Sequence, residues 1–182
     1  MRLKTDFFNR DTVTVARDLL GKYLCRRIGG KIIRAKIIET EAYCGQRDLA
    51  CHASKGLTKR TKVMFGPPGH AYVYLIYGMY HCFNVVTREK GQAEAVLIRA
   101  AIIQNAEIKN QNNPKFKFFL DGPGKLCRTL KIDDSFNSVD LCKSKEIWLE
   151  DRGEKPTKIK RGKRIGVDYA GKWKDKLWRF YL

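Results

Sequence analysis

The amino-acid sequence predicts a single domain, residues 1–182, of the α/β class with mixed α+β structure built largely from antiparallel strands. The chain has 182 residues and is 43% hydrophobic, which is enough for one core and too little for two ordinary domains. Two pairs of strand-like segments are each joined by a short glycine-containing turn, which indicates two hairpins. A helical pattern of apolar residues precedes both of them.

The first predicted element is a helix that begins after Asp11, a residue type whose side chain accepts a hydrogen bond from the free amides of a helix start. Gly21 supplies the stop. The apolar residues of this helix share one face: Val13, Ala16, Leu19 and Leu20. Lys22 to Arg27 and Lys31 to Tyr43 then predict two strands around Gly29-Gly30, since paired glycines accept the positive φ that hairpin turns need.

The second of these strands carries two acids, Glu39 and Glu41, near its end. Because apolar residues alternate with charged ones from Ile33 to Ile37, continuing the alternation places both acids on the apolar, buried face. Carboxylates at this spacing lie about 6.5–7 Å apart, the separation that inverting glycoside hydrolases use for an acid and a base. Alternatively, one acid forms an ion pair with a neighbour such as Arg34. Burial raises the pKa of a carboxylate, so a base here needs a restraining cation such as Arg99.

Residues 63–87, the neutral tract, contain no charged side chain, although the chain has 37 Lys and Arg against 19 Asp and Glu. Within the tract, two strands, Ala71 to Ile76 and Tyr80 to Val86, flank a turn at Tyr77-Gly78-Met79. A tyrosine at an exposed turn suits a wedge between base pairs, and tyrosine rings stack on extruded bases. The alternative is ordinary cross-strand packing, above all for Tyr72.

The remaining segments predict fewer elements. Residues 44–70 form a long loop, a length that is often functional in a compact domain. Ala93 to Ile103 is an apolar run, and Arg99, its interior cation, requires an anion or a carbonyl as a partner. Later candidates are a turn at Asp121 that opens a short helix through Leu130, and two strands, Ile147 to Leu149 and Arg164 to Val167.

The formal charge of +18 and the pI near 9.8 favour polyanionic partners, with nucleic acid ahead of an anionic membrane surface. The six cysteines and three histidines lack the spacing of a zinc site, so we expect no metal and no cofactor. Prolines and polar residues in the neutral tract argue against a membrane span. The start of the chain has no apolar h-region, so we expect no signal peptide, an intracellular location with the DNA, and reduced thiols.

Several short segments carry a more specific signal than composition does. They are Val15-Ala-Arg-Asp-Leu-Leu-Gly21, Ile38-Glu-Thr-Glu-Ala-Tyr43, Met64-Phe-Gly-Pro-Pro-Gly69, Tyr72-Val-Tyr-Leu-Ile-Tyr-Gly-Met-Tyr80, Leu97-Ile-Arg99, Gly122-Pro-Gly-Lys-Leu126 and Arg164-Ile-Gly-Val167. In this order they resemble the alkyladenine DNA glycosylase family, the 3-methyladenine DNA glycosylases that are unrelated in fold to the helix-hairpin-helix type. The resemblance spans nearly the whole chain.

The resemblance implies a curved antiparallel sheet whose protruding hairpin enters the minor groove of damaged double-stranded DNA. Tyr77 matches the intercalating tyrosine, which fills the gap left by a flipped nucleotide. Glu41 matches the general base that activates a water to attack C1′ of the deoxyribose, and Arg99 matches the residue that helps to position this water. The matched base-binding residues are Tyr43, His52 and Tyr74 around the base, Asn84 against the exocyclic amine of guanine, and Met64 in the pocket wall.

The resemblance also implies that one base and one water suffice, because a positively charged purine is a good leaving group; Glu39 is then structural. We expect a monomeric, monofunctional enzyme that leaves an abasic site, because no lysine matches a Schiff-base nucleophile. The expected substrate is 3-methyladenine, with 7-methylguanine, hypoxanthine and etheno-adenine as further candidates. Two departures from the family pattern, Asn105 to Phe119 and Asp168-Tyr169, leave the substrate range open. From charge alone, the alternative is a non-enzymatic RNA- or ribosome-binding module.

Overall fold

A curled antiparallel sheet forms the centre of this structure, a computed structural model that describes residues 1–104 and 117–182. The helices are α1 (Thr5–Phe8), α2 (Thr12–Asp18) and α3 (Pro123–Thr129). The strands are β1 (Tyr23–Ile28), β2 (Lys31–Tyr43), β3 (Ala71–Ile76), β4 (Tyr80–Thr87), β5 (Glu94–Gln104), β6 (Lys117–Leu120), β7 (Ile147–Glu150), β8 (Lys160–Gly162) and β9 (Arg179–Tyr181). Short 3₁₀ segments lie at His52–Lys55, Lys62–Phe65, Asp134–Phe136 and Asp168–Asp175.

The path through the sheet runs β3-β4-β5-β2-β1-β7, with β6 added beside β5 and β9 placed between β2 and β8. All of these pairs are antiparallel. The main core lies between one face of the sheet and helices α1 to α3. The prediction of a mixed α+β domain on an antiparallel sheet is therefore confirmed.

The local signals at the start of the chain act as predicted. The Asp11 carboxylate accepts a hydrogen bond from the Thr14 amide at 2.9 Å, which caps α2. Gly21, just beyond α2, has a φ of 80°, and Gly29 and Gly30 have φ values of 54° and 76° in the turn between β1 and β2. These left-handed conformations cost glycine little, so the chain reverses direction at these points.

Two register shifts between β2 and β5 overturn the prediction that Glu39 and Glu41 lie on the core face. The pairing skips Ile38 on β2 and Arg99 on β5. Because side chains alternate along a strand, an extra residue moves every later side chain to the opposite face. Ala42 therefore continues the core face, and the two acids lie on the other side of the sheet, together with Arg99.

The predicted strand from Arg164 to Val167 is also wrong, since β8 ends at Gly162. Gly166 has a φ of 75°, which a continuous strand does not accommodate. Of the divergent segment at residues 105–119, residues 105–116 lie outside the described part of the chain. None of the helices in the described ranges has the length and apolar character that crossing a bilayer requires.

Candidate active site

A cavity of about 600 Å³ opens on the face of the sheet opposite the main core. Strands β2 to β5 form one wall, and α3 together with residues 165–169 forms the other. This volume lies within the range of small-molecule binding sites. The hairpin of β3 and β4 extends the first wall to the mouth of the cavity, so several distant segments of sequence converge here.

Glu41 lies directly behind the lining of this cavity, next to the lining residues Tyr43, Arg99 and Ile165, and is completely buried. One carboxylate oxygen accepts a hydrogen bond from the Ile165 amide at 2.9 Å, and the other accepts one from the Tyr43 hydroxyl at 2.8 Å. Burial raises the pKa of Glu41 above its ordinary value, while the nearby charge of Arg99 opposes the rise. The result is a carboxylate held at a fixed position, with an increased affinity for a proton, as a general base requires.

Arg99 joins Glu41 to Glu39. Its Nε lies 3.1 Å from Glu39 Oε1, whereas its Nη1 lies 3.7 Å from Glu41 Oε1. Arg179, from β9, approaches the same Glu39 oxygen at 3.0 Å. The expectation that Arg99 has an anionic partner is confirmed, and that partner is principally Glu39.

Aromatic rings line the cavity next to the carboxylate. Tyr43, His52 and Tyr74 all face it, and the His52 and Tyr74 rings are in edge contact with their centroids 4.6 Å apart. His52 Nδ1 lies 2.8 Å from the Tyr72 hydroxyl. Burial, followed by the charge of Arg60, lowers the pKa of His52 to about 4, so its imidazole is neutral at pH 7 and acts here as an aromatic surface and hydrogen-bonding group.

Asn84 and Met64 lie deeper than the three cavity-facing aromatic residues. Both border a small void of about 20 Å³ behind the main cavity, which shares Tyr43, His52 and Tyr74 with it. The Asn84 amide nitrogen donates to the Tyr72 carbonyl at 3.1 Å. The structure therefore brings these two predicted residues to the inner end of the site rather than to its mouth.

Tyr77 occupies the tip of the hairpin and is 83% exposed. It has a φ of 53°, and the following Gly78 has a φ of 68°. Positive φ at both positions is typical of the tight turns that join hairpin strands, but a non-glycine residue adopts it at some cost. Tyr77 is also one of the residues that line the cavity, so the wedge position predicted from the sequence lies directly beside the site.

Helix α3 supplies the cationic side of the cavity through Lys125 and Arg128. The helix also packs against the hairpin, since a Cβ added at Gly124 would lie only 3.0 Å from the Tyr80 ring. Glycine at this position therefore allows α3 to approach β4 closely. The helix start predicted at Asp121 is in place, with the Lys125 ammonium 2.9 Å from the Asp121 carboxylate.

The sequence did not predict the segment that holds the Glu41 carboxylate in place. Arg164 and Asp48 form an ion pair in which both side chains are fully buried. The Arg164 guanidinium also lies 4.9 Å from the centre of the Tyr43 ring. Its neighbour Ile165 donates the amide hydrogen bond to Glu41. Arg164 and Ile165 fall inside the motif Arg164-Ile-Gly-Val167, but a backbone donor such as the Ile165 amide leaves no side-chain signal in the sequence.

Comparison with known proteins gives a consistent result over the whole chain. A family model described as methylpurine-DNA glycosylase (MPG) matches residues 6–182. A relative from Methanocella arvoryzae is 51% identical over 98% of this chain and 91% of its own length. One from Desulfitobacterium hafniense is 47% identical over 100% and 95%, and one from Legionella pneumophila (strain Lens) is 50% identical over 100% and 94%. Each is provisionally named a 3-methyladenine DNA glycosylase.

Proposed function

The chain belongs to the methylpurine-DNA glycosylase family and is a DNA glycosylase of DNA repair, and on that basis we propose how it acts. It flips an alkylated purine, foremost 3-methyladenine, out of duplex DNA and hydrolyses the N-glycosidic bond with a water activated by Glu41. The product is an abasic site. 7-Methylguanine, hypoxanthine and etheno-adenine are the further substrates to be compared.

The observation that carries this proposal is the fully buried Glu41 carboxylate directly behind the lining of an aromatic cavity. Its two oxygens accept from Tyr43 and Ile165. A carboxylate oxygen has two acceptor positions, so each oxygen keeps one with which it would accept a hydrogen bond from the attacking water when that water enters the site. Proton transfer from that water to Glu41 accompanies attack on C1′, and the purine leaves with the electron pair of the C–N bond.

Recognition of the lesion follows from the aromatic wall. A methylated purine that carries positive charge is attracted to the faces of Tyr43 and Tyr74 by cation–π interaction, and stacking contributes for any purine. His52 is neutral near pH 7 because burial lowers its pKa to about 4, so it does not repel such a base. Asn84 and Met64, at the inner end of the site, are placed to contact the edge of the base that enters first.

The exposed Tyr77 side chain supports a role as the wedge that occupies the space of the flipped nucleotide. We propose that the hairpin approaches from the minor groove, where apolar and aromatic wedges commonly enter base steps. The phosphates would then meet the cationic side of the cavity, Lys125 and Arg128. A single copy of the chain contains all of these groups, and we propose that it acts as a monomer, together with the DNA inside the cell.

A glycosylase without lyase activity needs no amine nucleophile. Lys125 lines the cavity, but its ammonium is paired with Asp121 at 2.9 Å, so we assign it an electrostatic role. Borohydride reduction during turnover should therefore trap no covalent complex with DNA. Trapped complex that disappears in a Lys125→Ala variant would contradict the monofunctional mechanism.

The central experiment compares the wild type with Glu41→Gln on duplexes that carry one defined lesion each. Free base is measured by chromatography under single-turnover conditions, and Glu41→Gln is expected to bind the duplex but release base about 10²–10⁴-fold more slowly. Glu89→Gln, at an exposed position, is the matched control and should behave as the wild type. Wild-type rates from Glu41→Gln would refute the mechanism.

The alternative of a non-enzymatic RNA- or ribosome-binding module is favoured only by the net charge of +18, and the family assignment favours the enzyme. The two functions predict different effects of salt concentration and of a DNA lesion on binding. A module would bind polyanions in a salt-dependent way without preference for a lesion. Release of base that depends on Glu41 excludes it.

A further inference from the structure

We propose that Glu39 is a positioning residue for base excision: it holds the Arg99 guanidinium at a distance from Glu41, so that Glu41 stays basic enough to accept a proton. The inference rests on the proposed role of Glu41. It assigns to Glu39 a function in the reaction beyond the structural one that the sequence suggested.

The Arg99 guanidinium lies closer to Glu39 than to Glu41. The 3.1 Å contact with Glu39 is within hydrogen-bonding range, whereas the 3.7 Å contact with Glu41 is beyond it. Glu41 instead receives its hydrogen bonds from Tyr43 and the Ile165 amide. Arg99 therefore acts on Glu41 as a nearby charge and not as a hydrogen-bonded partner.

Glu39 is in turn fixed from its other side. Arg179 Nη1 lies 3.0 Å from the same Glu39 oxygen that faces Arg99, and Arg179 Nε donates to the Lys163 carbonyl at 2.8 Å. A Cβ added at Gly162 would lie 3.0 Å from Arg179 Nη2, so the neighbouring strand β8 leaves this guanidinium little room to move. The carboxylate of Glu39 is thus held between two cations.

The register shifts of the sheet place these groups together. Skipping Ile38 and Arg99 in the pairing of β2 with β5 brings Glu39, Glu41 and Arg99 to one face. Among the described residues, the ionisable groups near Glu41 are Arg99 from β5, Cys82 from β4, Glu39 and Tyr43 from β2, Arg179 from β9 through Glu39, and Arg164 through the Tyr43 ring.

The charges in this cluster balance, because two carboxylates face two guanidinium groups. Replacing Glu39 by glutamine removes one negative charge and frees Arg99 to form a close ion pair with Glu41. Both changes favour the ionised carboxylate and lower the pKa of Glu41. A weaker base removes a proton from water less readily, and a hydrogen-bonded Arg99 also covers the oxygens that must meet this water.

The test is the pH dependence of single-turnover base release from duplex DNA containing 7-methylguanine. This base is already cationic and needs no protonation to leave, so the acidic limb of the profile reports the base of the enzyme. In Glu39→Gln we expect that limb to move to lower pH by about 1 unit, with a plateau rate about three- to tenfold lower. Glu39→Asp, which keeps the charge, should restore the position of the limb.

A second variant moves the profile in the opposite direction. Arg179→Gln leaves Glu39 with Arg99 as its remaining cation and removes one positive charge, so the acidic limb should move to higher pH. This variant tests the proposal independently if Glu39→Gln does not fold. If Glu39 had only a structural role, Glu39→Gln would lower the amount of folded protein, and the acidic limb would stay at the wild-type pH in both variants.

The proposal would be overturned if the acidic limbs of Glu39→Gln and Arg179→Gln both lay at the same pH as that of the wild type while Glu41→Gln was inactive. If Glu41→Gln releases base at the wild-type rate, the proposed role of Glu41 itself fails, and this result is distinguishable because it does not involve Glu39 or Arg179.

Discussion

The buried ion pair of Asp48 with Arg164 offers the strongest quantitative prediction for stability. Both side chains are fully buried, and Arg164 also donates to the Ala42 carbonyl at 2.9 Å and the Trp173 carbonyl at 3.1 Å. The guanidinium therefore joins the end of β2, the loop that contains Asp48 and the C-terminal segment. Asp48→Asn keeps the size of the side chain but leaves a buried cation without its anion.

Removing one partner of a buried ion pair costs about 3–5 kcal/mol, because the remaining charge is uncompensated. In a protein of this size each kcal/mol corresponds to about 2–4 °C in the melting temperature, so Asp48→Asn should melt about 6–20 °C below the wild type. Thermal and urea unfolding followed by circular dichroism measure this change. Asp175→Asn, which breaks the exposed ion pair with Lys163, is the matched control and should melt like the wild type.

A double-mutant cycle separates the pair from its surroundings. Arg164→Met removes the cation, and the double variant Asp48→Asn/Arg164→Met should be more stable than the sum of the two single losses predicts, by about 1–3 kcal/mol. A loss below about 1 kcal/mol in Asp48→Asn, or a coupling energy of zero, would refute the reasoning that this pair fixes the segment carrying the Ile165 amide.

Other predictions concern the site itself. Because burial raises the pKa of Glu41 from its ordinary value of 4.5, the folded protein loses stability as the pH rises from that value through the raised pKa; Glu41→Gln should melt above the wild type at pH 8, with the difference shrinking towards pH 4.5. A lower melting temperature at pH 8 would contradict this. The imidazole of His52 should titrate near pH 4 in an NMR titration, and a midpoint near 6.5 would contradict its burial. Tyr77→Ala should weaken binding to a lesion duplex more than binding to undamaged DNA, whereas equal losses would indicate packing alone. Gly124→Ala should slow base release by displacing the Tyr80 ring, and an unchanged rate would show that α3 does not position the hairpin.

Much of the fold could be predicted because its signals are local. The Asp11 cap, the Gly29-Gly30 turn and the hairpin around Tyr77 each depend on conformational preferences of a few adjacent residues, and the structure has all three. The prediction of a strand at Arg164 was wrong because its apolar residues lie in a loop. This loop is held by hydrogen bonds to Asp48 and Glu41, which are far away in the sequence.

The residues that the family motifs matched lie close together in the structure. Tyr43, His52, Tyr74 and Arg99 line one cavity, and Glu41 contacts Tyr43 and Arg99 from behind this lining. Their roles in the reaction are predictions that the proposed experiments test.

The sequence by itself determined the antiparallel hairpins, the basic character and the family, because these are properties of local patterns, composition and ordered motifs. Only the tertiary structure decided which face carries Glu39 and Glu41. Alternation along β2 alone points to the core, and the shifts that reverse it exist only in the pairing of β2 with β5. The same pairing brings Arg99 nearer to Glu39 than to Glu41. This difference depends on the distances between two strands that are far apart in the chain.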